Sequence, residues 1–76
     1  MREMDFKVEQ QGVVEAGQKV KVIESRLPGS YYYTIEHALG MSANYVVSER
    51  LKTFEGVIKS VEETPRGLYA TLEFDE

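Results

Sequence analysis

The 76-residue sequence contains no cysteine, no tryptophan, two prolines and one histidine. Without cysteine no disulfide can form, so packing or self-association must stabilise this short chain. The sequence has no run of about 18 or more apolar residues, the length that a membrane-spanning helix needs. Its N-terminal segment MREMDFKVEQQG has no apolar stretch typical of a signal peptide. These absences predict a cytoplasmic protein with one small globular domain over residues 1–76.

The charge balance argues against a phosphate-binding surface. Thirteen acidic and nine basic residues give a formal net charge of −4. Proteins that bind nucleic acids usually carry a basic patch, because lysine and arginine displace the counterions of the phosphates. Here the basic residues stand singly among acids. A nucleic-acid-binding barrel stays the alternative function, and it requires the fold to gather these residues on one face: Lys19, Lys21, Arg50, Lys52 and Lys59.

The C-terminal third of the sequence predicts a β-hairpin. Two strand-like segments, 54–63 and 68–74, flank Thr64-Pro-Arg-Gly67, in which proline presets φ and glycine takes a left-handed conformation. A three-residue loop would pair Thr64 with Leu68 and place the even-numbered residues of both strands on the core face. Gly56 indicates a bulge or bend in the first strand. The predicted pairs are Ile58 with Phe74, Ser60 with Leu72, Val61 with Thr71 and Lys59 with Glu73.

Upstream segments predict further strands. Residues 17–25 alternate so that Val20 and Val22 share one face, and Phe6–Val8 forms a second short strand. Leu27-Pro-Gly-Ser30 is typical of a loop.

The middle of the chain allows two interpretations. Thr34 can cap a short helix over Ile35–Leu39, with Gly40 as its left-handed end. Ser42 can cap a second helix, since Ala43, Val47 and Leu51 follow at helical spacing. Against that second helix, Tyr45-Val-Val47 is rich in β-formers and also fits a short strand.

These elements together predict a mainly β fold, with α+β as the alternative. In a chain this short, closing the sheet removes exposed strand edges. We therefore expect a small, strongly bent β-barrel that resembles SH3-like barrels in the broad sense. A short helical insertion would precede the C-terminal hairpin.

No motif predicts catalysis, a cofactor or a metal site. Gly12 and Gly17 have the spacing of a phosphate-binding loop, but Gln18 stands where that motif needs lysine. His37 has no second histidine or cysteine to complete a metal site or a catalytic group. The paired carboxylates Glu62-Glu63 and Asp75-Glu76 fall at opposite ends of the predicted hairpin. The sequence therefore predicts a non-enzymatic protein.

Three consecutive tyrosines, Tyr31 to Tyr33, form the segment most suggestive of a function. On a strand they alternate between faces, so at least one ring lies near solvent. They either cover a small core or form an exposed aromatic surface beside the Leu27–Ser30 loop. Tyrosine and arginine are enriched at protein interfaces. The predicted contact residues for a protein partner or a second copy are Arg26, Tyr31, Tyr32 and Tyr33, with His37 and Tyr45 as neighbours.

Overall fold

The protein folds into a closed antiparallel barrel of six strands. The computed structural model describes residues 1–76. In chain order the strands are β1 (Arg2–Val8), β2 (Lys19–Leu27), β3 (Ser30–Ile35), β4 (Gly40–Ser42), β5 (Glu55–Thr64) and β6 (Gly67–Phe74). Around the barrel their order is β1-β4-β3-β2-β5-β6, and β6 pairs with β1 to close it. The mainly β barrel, SH3-like in the broad sense, is thus confirmed.

Alternation along the strands builds the core. In β1, Met4, Phe6 and Val8 are buried, while the charged residues between them are exposed. Val20 and Val22 of β2 are both buried, as their shared face predicted. Because apolar burial is the main stabilising contribution, these inward rows hold the barrel closed. The side chains that are almost completely buried are Tyr33, Phe6, Phe74, Ile35, Ile58 and Leu72.

The C-terminal hairpin is present, but its predicted register is wrong. Its turn has two residues, Pro65 and Arg66, so Thr64 pairs with Gly67 and not with Leu68. Gly67 has φ 128°, a conformation that favours glycine. The remaining predicted pairs shift with the turn. The observed pairs are Val61 with Ala70, Ser60 with Thr71, Ile58 with Leu72 and Val57 with Glu73.

A β-bulge between Ile58 and Ser60 explains why the shifted register is tolerated. Without it, the two-residue turn would place Lys59 opposite Leu72 on the core face, where burial of the ammonium group is costly. The bulge skips Lys59, whose Nζ lies outside the barrel, 2.6 Å from Glu3 Oε2. That hydrogen bond raises the pKa of Lys59. The irregularity expected at Gly56 therefore lies at residue 59.

The predicted helix over Ile35–Leu39 is wrong. Ile35 pairs with Gly40, so the four residues between them form the loop of the β3–β4 hairpin, with one 3-10 turn at Glu36–Ala38. The left-handed residues are His37 (φ 71°) and Ala38 (φ 56°), while Gly40 belongs to β4. Gly40 lies in a tightly packed place, since a Cβ would lie 3.1 Å from Ile35 Cδ1 and from the Lys7 carbonyl oxygen.

The second helix, one of the two interpretations of residues 43–51, is also absent. Tyr45 makes an isolated β-bridge to Tyr31, and Val47–Glu49 forms a single 3-10 turn. The proposed helical stripe does not exist, because Val47 is exposed whereas Leu51 is buried. Of the alternative strand at Tyr45-Val-Val47, only Tyr45 makes a β-bridge.

Candidate functional site

The tyrosine segment lies on β3 and its side chains alternate between faces. Tyr33 is fully buried at 0% exposure, and Tyr31 and Tyr32 are half-buried. β3 pairs with β2 through Arg26–Tyr31, Ser25–Tyr32 and Glu24–Tyr33. Tyr31 and Tyr33 therefore share the inner face of the β2–β3 hairpin with Arg26 and Glu24, while Tyr32 lies on the outer face.

Tyr33 is a core residue whose hydroxyl joins two segments. The ring packs within the core, and the hydroxyl donates to Glu24 Oε2 at 2.7 Å. The same oxygen accepts from the backbone N–H of Leu51 at 2.8 Å. Burial raises the pKa of Tyr33, and the hydrogen bond to Glu24 adds to this. Tyr33 thus ties β2 to the segment after the 3-10 turn at Val47–Glu49 and does not offer its ring to solvent.

Arg50 connects this core tyrosine to the surface. Its guanidinium donates to Glu24 through Nε at 3.1 Å and Nη2 at 2.6 Å. The carbon Cζ of the same group lies 4.4 Å from the centroid of the Tyr31 ring, a cation–π contact. Hydrogen bonding to Arg50 lowers the pKa of Glu24, although burial acts in the opposite direction. The side chains of Glu24, Arg50 and Tyr31 are therefore held in one arrangement.

The segment that carries Arg50 is anchored at both of its ends. Arg2 donates to the carbonyl oxygens of Glu49 at 2.5 Å and Arg50 at 3.3 Å. The Glu76 carboxylate accepts from the backbone N–H groups of Lys52 at 2.7 Å and Thr53 at 3.0 Å. Burial would raise the pKa of Glu76, but these hydrogen bonds outweigh it and lower the pKa. The position of Arg50 over Tyr31 thus depends on contacts far away in sequence.

An open cleft lies at the tip of the β2–β3 hairpin. We call it the tip cleft and define it by Arg26, Leu27, Tyr31, Val46 and Val47, all of which line it. Its apolar side chains are exposed: Leu27 at 39%, Val46 at 51% and Val47 at 67%. Arg26 has no carboxylate partner among the ion pairs of the chain. The tip cleft therefore combines apolar surface, an aromatic ring and a free guanidinium group.

Only some of the predicted contact residues meet at this cleft. Arg26 and Tyr31 line it, and Tyr45 lies next to it through two backbone hydrogen bonds to Tyr31. Tyr32 occupies the opposite face of the hairpin. His37 lies in the β3–β4 loop, at the other end of β3, where its Nε2 is 3.4 Å from Glu36 Oε1. The six predicted residues thus do not form one surface.

Sequence reasoning missed Val46 and Val47 as surface residues. Consecutive valines are typical of a buried strand or helix, and nothing local marks them as exposed. Their exposure follows from Tyr45, whose bridge to Tyr31 brings the segment alongside β3. The pairing of Glu24 with Arg50 was also missed, because the two residues lie 26 positions apart and no local pattern signals their contact.

Most of the basic residues considered for nucleic-acid binding are paired with acids. Lys19 Nζ lies 3.8 Å from Glu55 Oε1. Lys59 pairs with Glu3, and Arg50 pairs with Glu24. Three of the five basic residues considered for nucleic-acid binding thus contact carboxylates. No three His, Cys, Asp or Glu side chains are grouped so that they could hold a metal ion. The structure contains no helix with the length and apolar character to cross a membrane.

Comparisons with protein-family models, with curated proteins and with solved structures found no match to this chain.

Proposed function

We propose that the protein is a non-catalytic binding module of the cytoplasm that contacts another protein through the tip cleft. The observation that carries this proposal is the group of exposed apolar side chains, Leu27, Val46 and Val47, beside the Tyr31 ring. Contiguous apolar surface on a small soluble domain is often a site of protein contact.

The arrangement of Tyr31 supports this role. Arg50 covers the ring and is itself fixed by Glu24, so Tyr31 does not have to be ordered when a partner binds. Ordering a free side chain at an interface costs about 0.5–1.5 kcal/mol. An apolar side chain of the partner fits against Val46, Val47 and the Tyr31 ring. Tyrosine with its large apolar area is a frequent contributor to binding energy at such positions.

The test uses affinity capture with variants of matched chemistry. Tagged protein is incubated with nuclease-treated lysate of the source organism, and the retained proteins are identified. Val47→Asp places a charge in the tip cleft, whereas Met41→Asp places the same charge on an exposed apolar residue of β4. We expect a partner that the wild type and Met41→Asp retain and that Val47→Asp loses.

Two other results would contradict the proposal that the tip cleft is the contact surface. If Tyr32→Ser lost the partner while Val47→Asp retained it, the contact surface would be the outer face of the hairpin. If material were retained only without nuclease, and its binding weakened steeply with salt, the nucleic-acid alternative would replace the proposal.

A further inference from the structure

One edge of β2 has backbone groups that the barrel does not use. Tyr31 exchanges hydrogen bonds with Tyr45 (2.8 and 2.7 Å), and the Tyr33 N–H donates to Ser42 Oγ at 2.9 Å. The backbone groups of both tyrosines thus point away from β2. In an antiparallel pair, residues opposite each other both point inward or both point outward. Their partners Arg26 and Glu24 therefore direct N–H and C=O to the other side of β2.

No strand lies on that other side of Glu24 and Arg26. β2 pairs with β5 only over Lys19–Lys21, and the last bond at this edge is from the Val22 N–H to the Phe54 carbonyl oxygen, at 2.9 Å. None of the hydrogen bonds outside the strand ladders involves the four backbone groups of Glu24 and Arg26. A row of two donors and two acceptors at strand spacing is a template for another strand.

We infer that this edge pairs with the same edge of a second copy, antiparallel about a twofold axis through Ser25. The proposal goes beyond the tip cleft: the two surfaces share Arg26 and Leu27, but the β2 edge and the Tyr45–Val47 segment flank opposite sides of the hairpin. The β2–β3 hairpins of two copies would then form one continuous four-stranded sheet. The argument for a second copy as the occupant is the order of charges along the edge.

Charge complementarity selects the axis. Hydrogen bonding across the edge requires Glu24 and Arg26 to pair with each other or with themselves. An axis at Glu24 would oppose two glutamates, and an axis at Arg26 would oppose two arginines; like charges directly opposite are destabilising. Only an axis at Ser25 places each Glu24 opposite Arg26 of the second copy. That arrangement forms two opposite-charge pairs by symmetry.

Glu24 can accept this additional contact. A carboxylate has about four acceptor positions on its two oxygens. Tyr33 and Arg50 together occupy three of them, two on Oε2 and one on Oε1. The remaining position on Oε1 is available to Arg26 of the second copy, which has no carboxylate partner in its own chain.

The outer face of the same register is apolar. The axis brings Ile23 opposite Leu27 of the second copy, and both are exposed in the single chain, Ile23 at 53%. Ser25 lies opposite Ser25 of the second copy, at a non-hydrogen-bonded position. There the two Cα atoms approach to about 4.5 Å, and only a small side chain fits easily. Because five residues pair, the interface is smaller than a standard one, and we expect a concentration-dependent dimer.

The first test measures association of the purified protein by sedimentation velocity from micromolar to millimolar concentration. We expect the wild type to dimerise. Arg26→Glu places a glutamate opposite Glu24 of the second copy, twice by symmetry, and should weaken the dimerisation affinity at least about tenfold. Arg26→Lys keeps the charge and should dimerise. Arg66→Glu makes the same charge change at the exposed β5–β6 turn and should also dimerise. Circular dichroism verifies that each variant is folded.

The second test locates the interface. The chain has no cysteine, so single cysteines report unambiguously. Ser25→Cys should form an intermolecular disulfide under mild oxidation, because a Cα separation of about 4.5 Å lies within the range that disulfides span. Exposed Ser48→Cys should form far less.

Three results would overturn the proposal. These are a wild type that stays monomeric at every concentration, a dimer that folded Arg26→Glu leaves unchanged, and equal cross-linking of the two cysteine variants. Val47→Asp should not affect the dimer, so loss of partner binding and loss of dimerisation are distinguishable.

Discussion

Two hairpins of this barrel have similar turns but different surroundings. The β2–β3 hairpin turns at Pro28-Gly29 and the β5–β6 hairpin at Pro65-Arg66, so each has proline first in a two-residue turn. Beneath β2–β3 lies a polar network, in which Glu24 links Tyr33 to Arg50. Along β5–β6, the inward residues belong to the apolar core. The sequence of the turn alone therefore does not determine what the strands of a hairpin pack against.

The free edges of the two hairpins also differ. Beyond Ile58, whose backbone bonds to Gly17 and Gln18, β5 has no second neighbouring strand. The residues that follow include Glu62 and Glu63, and acids concentrated at an edge discourage pairing with another copy. The β2 edge instead carries Glu24 and Arg26, one acid and one base placed symmetrically about Ser25. The contrast indicates that β2 is the edge suited to self-association.

The largest effect is expected where β5 packs without spare volume. Gly56→Ala should lower the free energy of unfolding by about 3 kcal/mol, since its Cβ would lie 2.9 Å from the Glu73 carbonyl oxygen and from Phe74 Cε1. Urea denaturation measures the loss. Gly12→Ala, with nothing within 4 Å of the new Cβ but φ +83°, should lose less. A Gly56→Ala protein as stable as the wild type would show that the β5–β6 side of the barrel has room.

A smaller loss is expected from the polar network beneath β2–β3. Tyr33→Phe removes the acceptor of the buried Leu51 N–H and a donor to Glu24, and should cost about 2 kcal/mol. Tyr69→Phe is the matched control on β6, because the hydroxyl of this half-buried tyrosine makes no hydrogen bond to another residue. Denaturation of both variants measures the difference. Equal stability of the two would mean that the Tyr33 hydroxyl contributes nothing.

The two hairpins also differ in how far the sequence could predict them. Proline, glycine and alternating apolar residues identified β5–β6 and the buried set Ile58, Ala70, Leu72 and Phe74. The register was missed because the turn length is set together with the bulge at Lys59, which keeps that ammonium group off the core face opposite Leu72. Local residues predict a hairpin, but its register here depends on tertiary packing.

The candidate site was less predictable than the fold. Strand alternation correctly implied that the three tyrosines face different ways, but it could not say which ring is buried. That assignment depends on Leu51 and Glu24, which reach Tyr33 from separate segments. The helix predicted at 35–39 is wrong because capping residues also occur in hairpin loops, such as the loop between β3 and β4. The helical interpretation of 43–51 is wrong because Tyr45 pairs with Tyr31 instead. Hence Val46 and Val47, which line the tip cleft, were not among the predicted contacts.

The smallest effect is expected in the pH dependence of stability. The folded pKa of Glu24 lies below the ordinary pKa of a glutamate, chiefly because Arg50 donates hydrogen bonds to its carboxylate. The ion pair therefore stabilises the fold at pH values above that ordinary pKa and loses its effect as the pH falls through the folded pKa. Glu24→Gln should lose less than about 1 kcal/mol at neutral pH, and its difference from wild type should shrink in acid. Thermal unfolding at neutral and acidic pH, below dimerising concentration, measures this, with Glu62→Gln on β5 as the control. A difference that grows in acid would contradict the assigned role of the pair, and would weaken the contrast between the two hairpins.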